Sequence, residues 1–365
     1  MSLSITQPLP LSSSRLTLLS PPTGMALEAV PAWAASRRQA TGDAICVAGV
    51  VTANHPLHWM ETSYARGWVL LQPSISLDGA SLASAFAEQR ARGFVDADAA
   101  LLALARASGV LPRLSWGEAP DFPVLRTASS GAAPRRLGLY AIVDSAERLQ
   151  AVLDAGVKTV QVRIKRPAHP DAVWESSLRE QLARSIAAAR AAGAELFVND
   201  HADLALALGA SAIHLGQEDL LALGDAGRAD LVATGLALGV SSHSVWELCR
   251  ARALPLRYIA CGPVWATITK DMPWVPQGLD NLAWWARHAG APVVGIGGIL
   301  TPAQVEQVAA CGADGVCLVR GLGDDPSATL PAYAAALERG RKRASDVASN
   351  AALIQELHPS LAQTQ

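Results

Sequence analysis

The stretch PVVGIGGILTPAQVEQVAACGADGVCLVRG, residues Pro292–Gly321, contains one complete structural repeat. PVVGIGG (292–298) and GVCLVRG (315–321) read as short buried strands, with TPAQVEQVAACG (301–312) as a helix between them. Thr301 has the chemistry of an N-cap, Pro302 suits the first helical position, and Gly312 is a stop. Two apolar strands joined through a helix describe a crossover between parallel strands.

Working back from this unit, the same alternation reaches Leu137. The strands read are LGLYAIV (137–143), TVQVRI (159–164), LFVND (196–200), AIHLG (212–216), ALGVSS (237–242) and YIACGPV (258–264), besides the two above. Helix-compatible segments separate them, for example LREQLARSIAAARAAG (178–193). Eight such units in about 200 residues predict an α/β fold, a closed (β/α)8 or TIM barrel over residues 137–345. A doubly wound open sheet is the alternative. The count of eight and the missing G-x-G-x-x-G after the first strand lean against it.

Before the barrel lies TASSGAAPRR, Thr127–Arg136, small, polar and Pro-bearing as linkers are. Residues 25–130 read as a smaller N-terminal α/β accessory domain. AICVAGVV (44–51) and GWVLL (67–71) are its strands, and Ala80–Gly109 reads as two helices broken at Gly93, with Asp96 capping the second. The Ser/Pro-rich residues 1–24 are expected to be disordered, and residues 346–365 to form a mobile tail.

Of the 365 residues, 50% are hydrophobic and 17% charged, ample for a large core. The net charge of −2 gives no broad basic field, which argues against a nucleic-acid partner. No apolar run approaches the roughly 20 residues of a membrane span, and the N-terminus does not read as a signal peptide. The five cysteines contain no CxxC pair, which suits a reducing cytoplasm and argues against a disulfide frame or structural zinc.

In a barrel, chemistry belongs at the C-terminal strand ends. Gln161, Arg163 and Lys165 alternate with Val162 and Ile164, so the polar three share one face. The apolar pair must face the helices, and the cations then point into the barrel mouth. Two buried cations cost several kcal/mol each unless an anion compensates. A solvated edge strand would show the same pattern, but a closed barrel has no edges. The third strand ends in Asn199-Asp200 and the fourth runs into GQED with Asp219. Either the two aspartates cap the following helices, or they share a hard cation such as Mg²⁺, which takes one or two carboxylates plus substrate phosphate. Ser241 and Ser242 stand at the end of the fifth strand with His243 following, and they also read as caps of the next helix. After the sixth comes GPVWATITK, whose Thr267, Thr269 and Lys270 suit phosphate, although a lone TxTK is weak. The Gly-rich ends of strands seven and eight are common phosphate sites in barrels. The whole set implies two anionic groups, one pyrophosphate-like and one phosphate.

In order and spacing, QVRIK, VND, HLGQED, GVSSH, GPVWATITK with MPWVPQGL, and VGIGGI resemble the thiamine phosphate synthase family. The resemblance covers about Leu137–Arg339. It implies an alkyl-group transferase that joins hydroxymethylpyrimidine pyrophosphate to a thiazole phosphate, through a dissociative, Mg²⁺-assisted loss of pyrophosphate. It implies that Gln161, Val162, Arg163, Ile164 and Lys165 hold the pyrimidine pyrophosphate, with Asn199, Ser241 and Lys270 as further contacts. It assigns Asp200 and Asp219 as magnesium ligands. Thr267, Ile268, Thr269, Gly298, Val319 and Arg320 would form the thiazole phosphate site. Arg163, Lys165 and Lys270 would stabilise the leaving group. Two departures stand out: Arg320 replaces a small hydroxyl residue, and Ala266 replaces a proline before the first Thr of its loop. His201, His214 and His243 read as structural or substrate-packing groups. Arg92–Gly109 faintly resembles the closing helices of hydroxymethylpyrimidine kinases, implying a degenerate remnant with a structural or docking role. The loop 266–278 is a lid candidate. The alternatives are a thiazole tautomerase-type isomerase and a non-catalytic barrel that binds thiazole phosphate; a homo-oligomer is left open.

Overall fold

The computed structural model describes residues 15–51, 56–72, 74–120, 122, 136–268, 274–346 and 357–360. The barrel strands are β6 (Gly138–Val143), β7 (Thr159–Val162), β8 (Glu195–Asn199), β9 (Ala212–Leu215), β10 (Ala237–Ser242), β11 (Leu256–Cys261), β12 (Val293–Gly295) and β13 (Gly315–Leu318). They close as one parallel barrel, with β13 pairing back to β6. The expected fold is therefore the fold observed. The helices between them include α4 (Ala146–Asp154), α5 (Ala172–Ala191), α6 (Ala202–Ala207), α7 (Gln217–Ala222), α8 (Gly224–Ala233), α9 (Val245–Ala251), α10 (Gly278–His288) and α11 (Pro302–Ala310).

Alternation along each strand separates two apolar layers. Val160 and Val162 of β7 join the outer layer against the helices, while Tyr140, Phe197, Tyr258 and Cys317 fill the interior. Three of those interior groups are aromatic and pack on one another, Phe197 and Tyr258 edge to face at 5.0 Å between ring centres. Gly239 of β10 makes room for them: a Cβ there would lie 2.3 Å from the Tyr258 ring.

The observed elements are shorter or longer than expected at their ends. β12 stops at Gly295, so the rest of the glycine run leaves the sheet. The helix expected over 178–193 is α5 and starts at Ala172, because Asp171 accepts a hydrogen bond from the Trp174 amide and caps it. Thr301 caps α11 with Gln304 reaching back to it, a reciprocal capping box.

The N-terminal part is a five-stranded sheet of β1 (Leu16–Leu19), β2 (Ala44–Val51), β3 (Pro56–Glu61), β4 (Arg66–Leu70) and β5 (Arg113–Leu114), paired in that order. Helix α1 (Val30–Thr41) covers one face, on Ile45, Val47, Trp59 and Trp68. Helices α2 (Gly79–Ala91) and α3 (Asp96–Ser108) cover the other. Covering both faces explains why AICVAGVV is apolar without alternation. All residues of α3 from Asp96 to Ala105 are buried, because α3 lies between this sheet and the barrel. Its apolar neighbours run on without a break into the outer layer of the barrel.

Three expectations need correction here. Residues 1–24 are not wholly disordered: Leu16–Leu19 pair in parallel with Ala44–Val47. Asp96 does not cap α3. Val95 occupies the cap position, and the Asp96 carboxylate instead accepts the Ser63 amide at 2.7 Å. The tail is not free throughout. Leu357 is buried, and His358 exchanges two hydrogen bonds with the Asn281 side chain, at 2.8 and 3.0 Å. No helix of the described residues is long and apolar enough to cross a membrane.

Candidate active site

A cavity of about 380 Å³ opens at the C-terminal ends of the barrel strands. Ten of the expected residues line it: Gln161, Arg163, Asn199, Asp200, Asp219, Ser241, Thr267, Gly298, Val319 and Arg320. They divide by topology. Gln161, Arg163, Asn199, Asp200, Asp219 and Ser241 lie on or just after β7 to β10, neighbours around the barrel, whereas the other four follow β11 to β13.

Not every expected residue joins them. Val162 is buried in the outer layer, as the alternation requires, and takes no part in the lining. β7 ends at Val162, so Arg163 turns into the cavity while Lys165 lines an adjoining cleft. That cleft holds about 490 Å³ and is also lined by Arg148, Arg163, Ile164 and Arg320. Ile268 is 86% exposed and lies outside the lining. Thr269 and Lys270 fall outside the described residues, as do residues 271–273 of the lid candidate.

Gln161, His214 and Ser241 of the lining are joined by one continuous relay that runs through the buried Tyr140 and Tyr258 beneath the cavity. The Gln161 side-chain amide donates to the Tyr140 hydroxyl at 2.9 Å, and the Tyr140 and Tyr258 hydroxyls meet at 2.8 Å. Tyr258 reaches Nδ1 of His214 at 2.7 Å, and Nε2 of His214 reaches Ser241 Oγ at 2.9 Å. Running the donors from Gln161 towards Ser241 leaves no buried hydroxyl proton without an acceptor. His214 is then protonated on Nε2, and the Ser241 hydroxyl has its own proton to offer a ligand. Burial, with Arg163 and His243 nearby, lowers the His214 pKa to about 3 and keeps the ring neutral.

Asp200 and Asp219 behave differently. Asp200 has a left-handed backbone, φ 65°, and its amide bonds the His214 carbonyl. It caps nothing: His201 holds the cap position of α6. Its carboxyl is held above the usual range, first by burial and then by the Asp219 charge, with Arg163 opposing. Asp219 does perform a capping role, since Oδ2 accepts the Gly216 amide at 3.0 Å, but it faces the same cavity. Two mutually repelling carboxylates with room for phosphate oxygens are a donor set that suits Mg²⁺. Among the described residues no group of three or more His, Cys, Asp or Glu side chains could hold a metal.

On the other side of the cavity the backbone approaches closely. Gly298 has φ +71°, and a Cβ there would lie 2.6 Å from Cβ of Trp265. Val319 leads into a single 3₁₀ turn, Arg320–Leu322. Sequence reasoning missed Tyr140, Tyr258, Gln217 and Glu247, whereas Trp274 belongs to the lid candidate and does line the cavity. The two tyrosines sit in apolar strands, where only the inward register marks them. Glu247 had a signal, four residues beyond His243 where a helix begins: its Oε2 lies 2.9 Å from His243 Nδ1, and the His243 ring stacks on Trp274 at 5.1 Å.

A parallel barrel with cations, carboxylates and bare backbone around one cavity at its strand ends has the build of a barrel enzyme for phosphorylated ligands. The family model described as thiamine monophosphate synthase matches residues 139–322, half of the chain. A thiamine-phosphate synthase of Rhizobium etli is 45% identical over 192 residues, spanning 51% of this chain and 87% of the relative. One from Neisseria meningitidis is 40% identical over 203 residues, 54% of this chain and 94% of the relative. A solved thiamine phosphate pyrophosphorylase from Pyrococcus furiosus is 27% identical, with a TM-score of 0.48 over 56% of this chain and 98% of that one. The chain belongs to the thiamine monophosphate synthase family and is an enzyme, a transferase.

Proposed function

We propose that this cavity joins hydroxymethylpyrimidine pyrophosphate to a thiazole phosphate, releasing pyrophosphate and forming thiamine phosphate. The observation that carries the reading is the division of the lining. Arg163, Asn199, Asp200, Asp219 and Ser241 on neighbouring strand ends suit a pyrophosphate, and the bare glycine backbone across from them suits a single phosphate.

The reaction breaks the bond between the pyrimidine methylene carbon and the pyrophosphate oxygen, which keeps the electron pair. The thiazole nitrogen then bonds that carbon and becomes quaternary. Asp200 and Asp219 would hold Mg²⁺, whose chemistry is to draw negative charge from a departing pyrophosphate. Arg163 pairs with the same charge, which grows towards the transition state, and so stabilises that state more than the bound substrate. Lys165 in the adjoining cleft and Lys270 are assigned the same task. The Ser241 hydroxyl donates its proton as a hydrogen bond while neutral His214 holds its oxygen. Asn199 is assigned to the pyrophosphate as well. The attacking nitrogen carries no proton, so no side chain needs to act as a base. The remaining work is to hold two reactants in contact, worth several kcal/mol of barrier. Residues 25–130 are read as an accessory unit, a degenerate remnant of a kinase-like domain with a structural role.

The test is to supply both substrates with Mg²⁺ and assay thiamine phosphate, then repeat with EDTA. Product that disappears on chelation supports the reading. No product with Mg²⁺ present overturns it.

A further inference from the structure

The accessory unit meets the barrel at helix α9, which leads straight out of the cavity. Asp98, buried in α3, places Oδ1 2.8 Å from the amide nitrogen of Trp246. The first amides of a helix have no partner within it. Here Ser244 takes the Glu247 amide at 3.2 Å, and Asp98 reaches across from the other domain to take that of Trp246.

What this turn carries matters to the cavity. Glu247 Oε2 accepts the His243 amide at 2.7 Å, and both residues line the cavity two and six positions after Ser241. A second route reaches the same segment. Trp116 lies under the Arg250 guanidinium at 4.8 Å, and Arg250 donates to Gln217 Oε1 at 2.9 and 3.1 Å. Gln217 in turn donates to the Ser241 carbonyl at 3.1 Å and to Ser242 Oγ at 3.0 Å. A carboxyl group within the buried stretch of α3 is costly, and the amide it meets accounts for its placement.

We propose that Asp98 is a positioning residue of the transferase site: it pins the first turn of α9 and so fixes Ser241–His243 in the pyrophosphate half of the cavity. The accessory unit then serves the reaction from outside the barrel. This role rests on the substrate assignment above.

The full-length chain carrying Asp98→Ala or Asp98→Asn tests it, through kinetics with both substrates and Mg²⁺ and through hydrogen exchange at Trp246. In D98A the KM for the pyrimidine pyrophosphate rises about fivefold or more, while that for the thiazole phosphate stays within about twofold. Exchange of the Trp246 amide accelerates by about tenfold. D98N retains an oxygen acceptor and restores both. Wild-type synthesis with both KM values unmoved in D98A overturns the positioning role alone. A fall in kcat without any KM split, unrescued by D98N, overturns it also, because general destabilisation lowers the active fraction. A wild-type chain that makes no thiamine phosphate overturns the substrate assignment and this role with it.

Discussion

The phenol of Tyr258 stands 2.7 Å from Nδ1 of His214, and this contact decides which ring nitrogen carries the proton. Tyr258→Phe removes that donor and strands the Tyr140 hydroxyl as well. Two buried polar groups lose partners, so the variant is expected to lose about 1–3 kcal/mol of stability in urea denaturation. Its KM for the pyrimidine pyrophosphate should also rise severalfold, because Ser241 no longer has a fixed hydrogen-bond direction. Wild-type stability in Y258F would mean that the relay is not continuous.

Asp200→Asn separates charge from backbone. Asn tolerates the left-handed φ of 65° that Asp200 adopts, so the thermal midpoint should hold. Turnover should fall by about two orders of magnitude, and the dependence on added Mg²⁺ should shift to higher concentration. A variant with normal turnover and normal Mg²⁺ response would remove the assigned role. Arg163→Ala should behave in the same way on turnover while leaving the metal response unchanged.

Gly298→Ala tests the opposite side of the cavity. The added methyl meets Trp265 at 2.6 Å on a backbone with φ +71°, so the loop must shift at a cost of about 1–3 kcal/mol. The KM for the thiazole phosphate should rise and that for the pyrimidine pyrophosphate should not. Equal changes in both would argue against two separate halves.

Two buried groups give opposite pH dependences of stability. Burial pushes the Asp98 carboxyl up to about 7 from its ordinary 3.8. Its contribution is fully present below the ordinary value and is lost as pH rises towards 7. His214 is lowered from 6.5 to about 3; the unfolded chain takes up a proton that the folded ring refuses, so stability is lost as pH falls from 6.5 towards 3. Each effect is on the order of a few kcal/mol. Denaturation midpoints at pH 4 to 8 should therefore lose less between 4 and 7 in D98N than in wild type. Identical curves would show that the Asp98 carboxyl titrates in its ordinary range.

The barrel was legible because its short, mostly apolar strands alternate with helices marked by a cap or a glycine stop, as Thr301 and Gly312 illustrate. The cavity was legible where a charge sat in an otherwise apolar strand end, as Arg163 and Asp200 do. Tyr140 and Tyr258 were not, because in sequence they are ordinary strand aromatics, and only the inward register of β6 and β11 brings their hydroxyls together. The edge strand Leu16–Leu19 hid inside a Ser/Pro-rich stretch, and it is held by pairing with β2 rather than by local propensity. Asp98 shows the same limit. Its partner amide lies 148 positions away, in another domain.

The unbroken apolar layer from α3 into α9 bears on how this catalyst can be handled. A barrel excised at residue 136 would bare Trp246, which is 3% exposed in the intact chain and packs beside Gly67 of the accessory sheet. Such a fragment would carry a sticky flank. The catalytic module is thus not portable: transplanting it into another host protein would require resurfacing that flank or bringing its escort along.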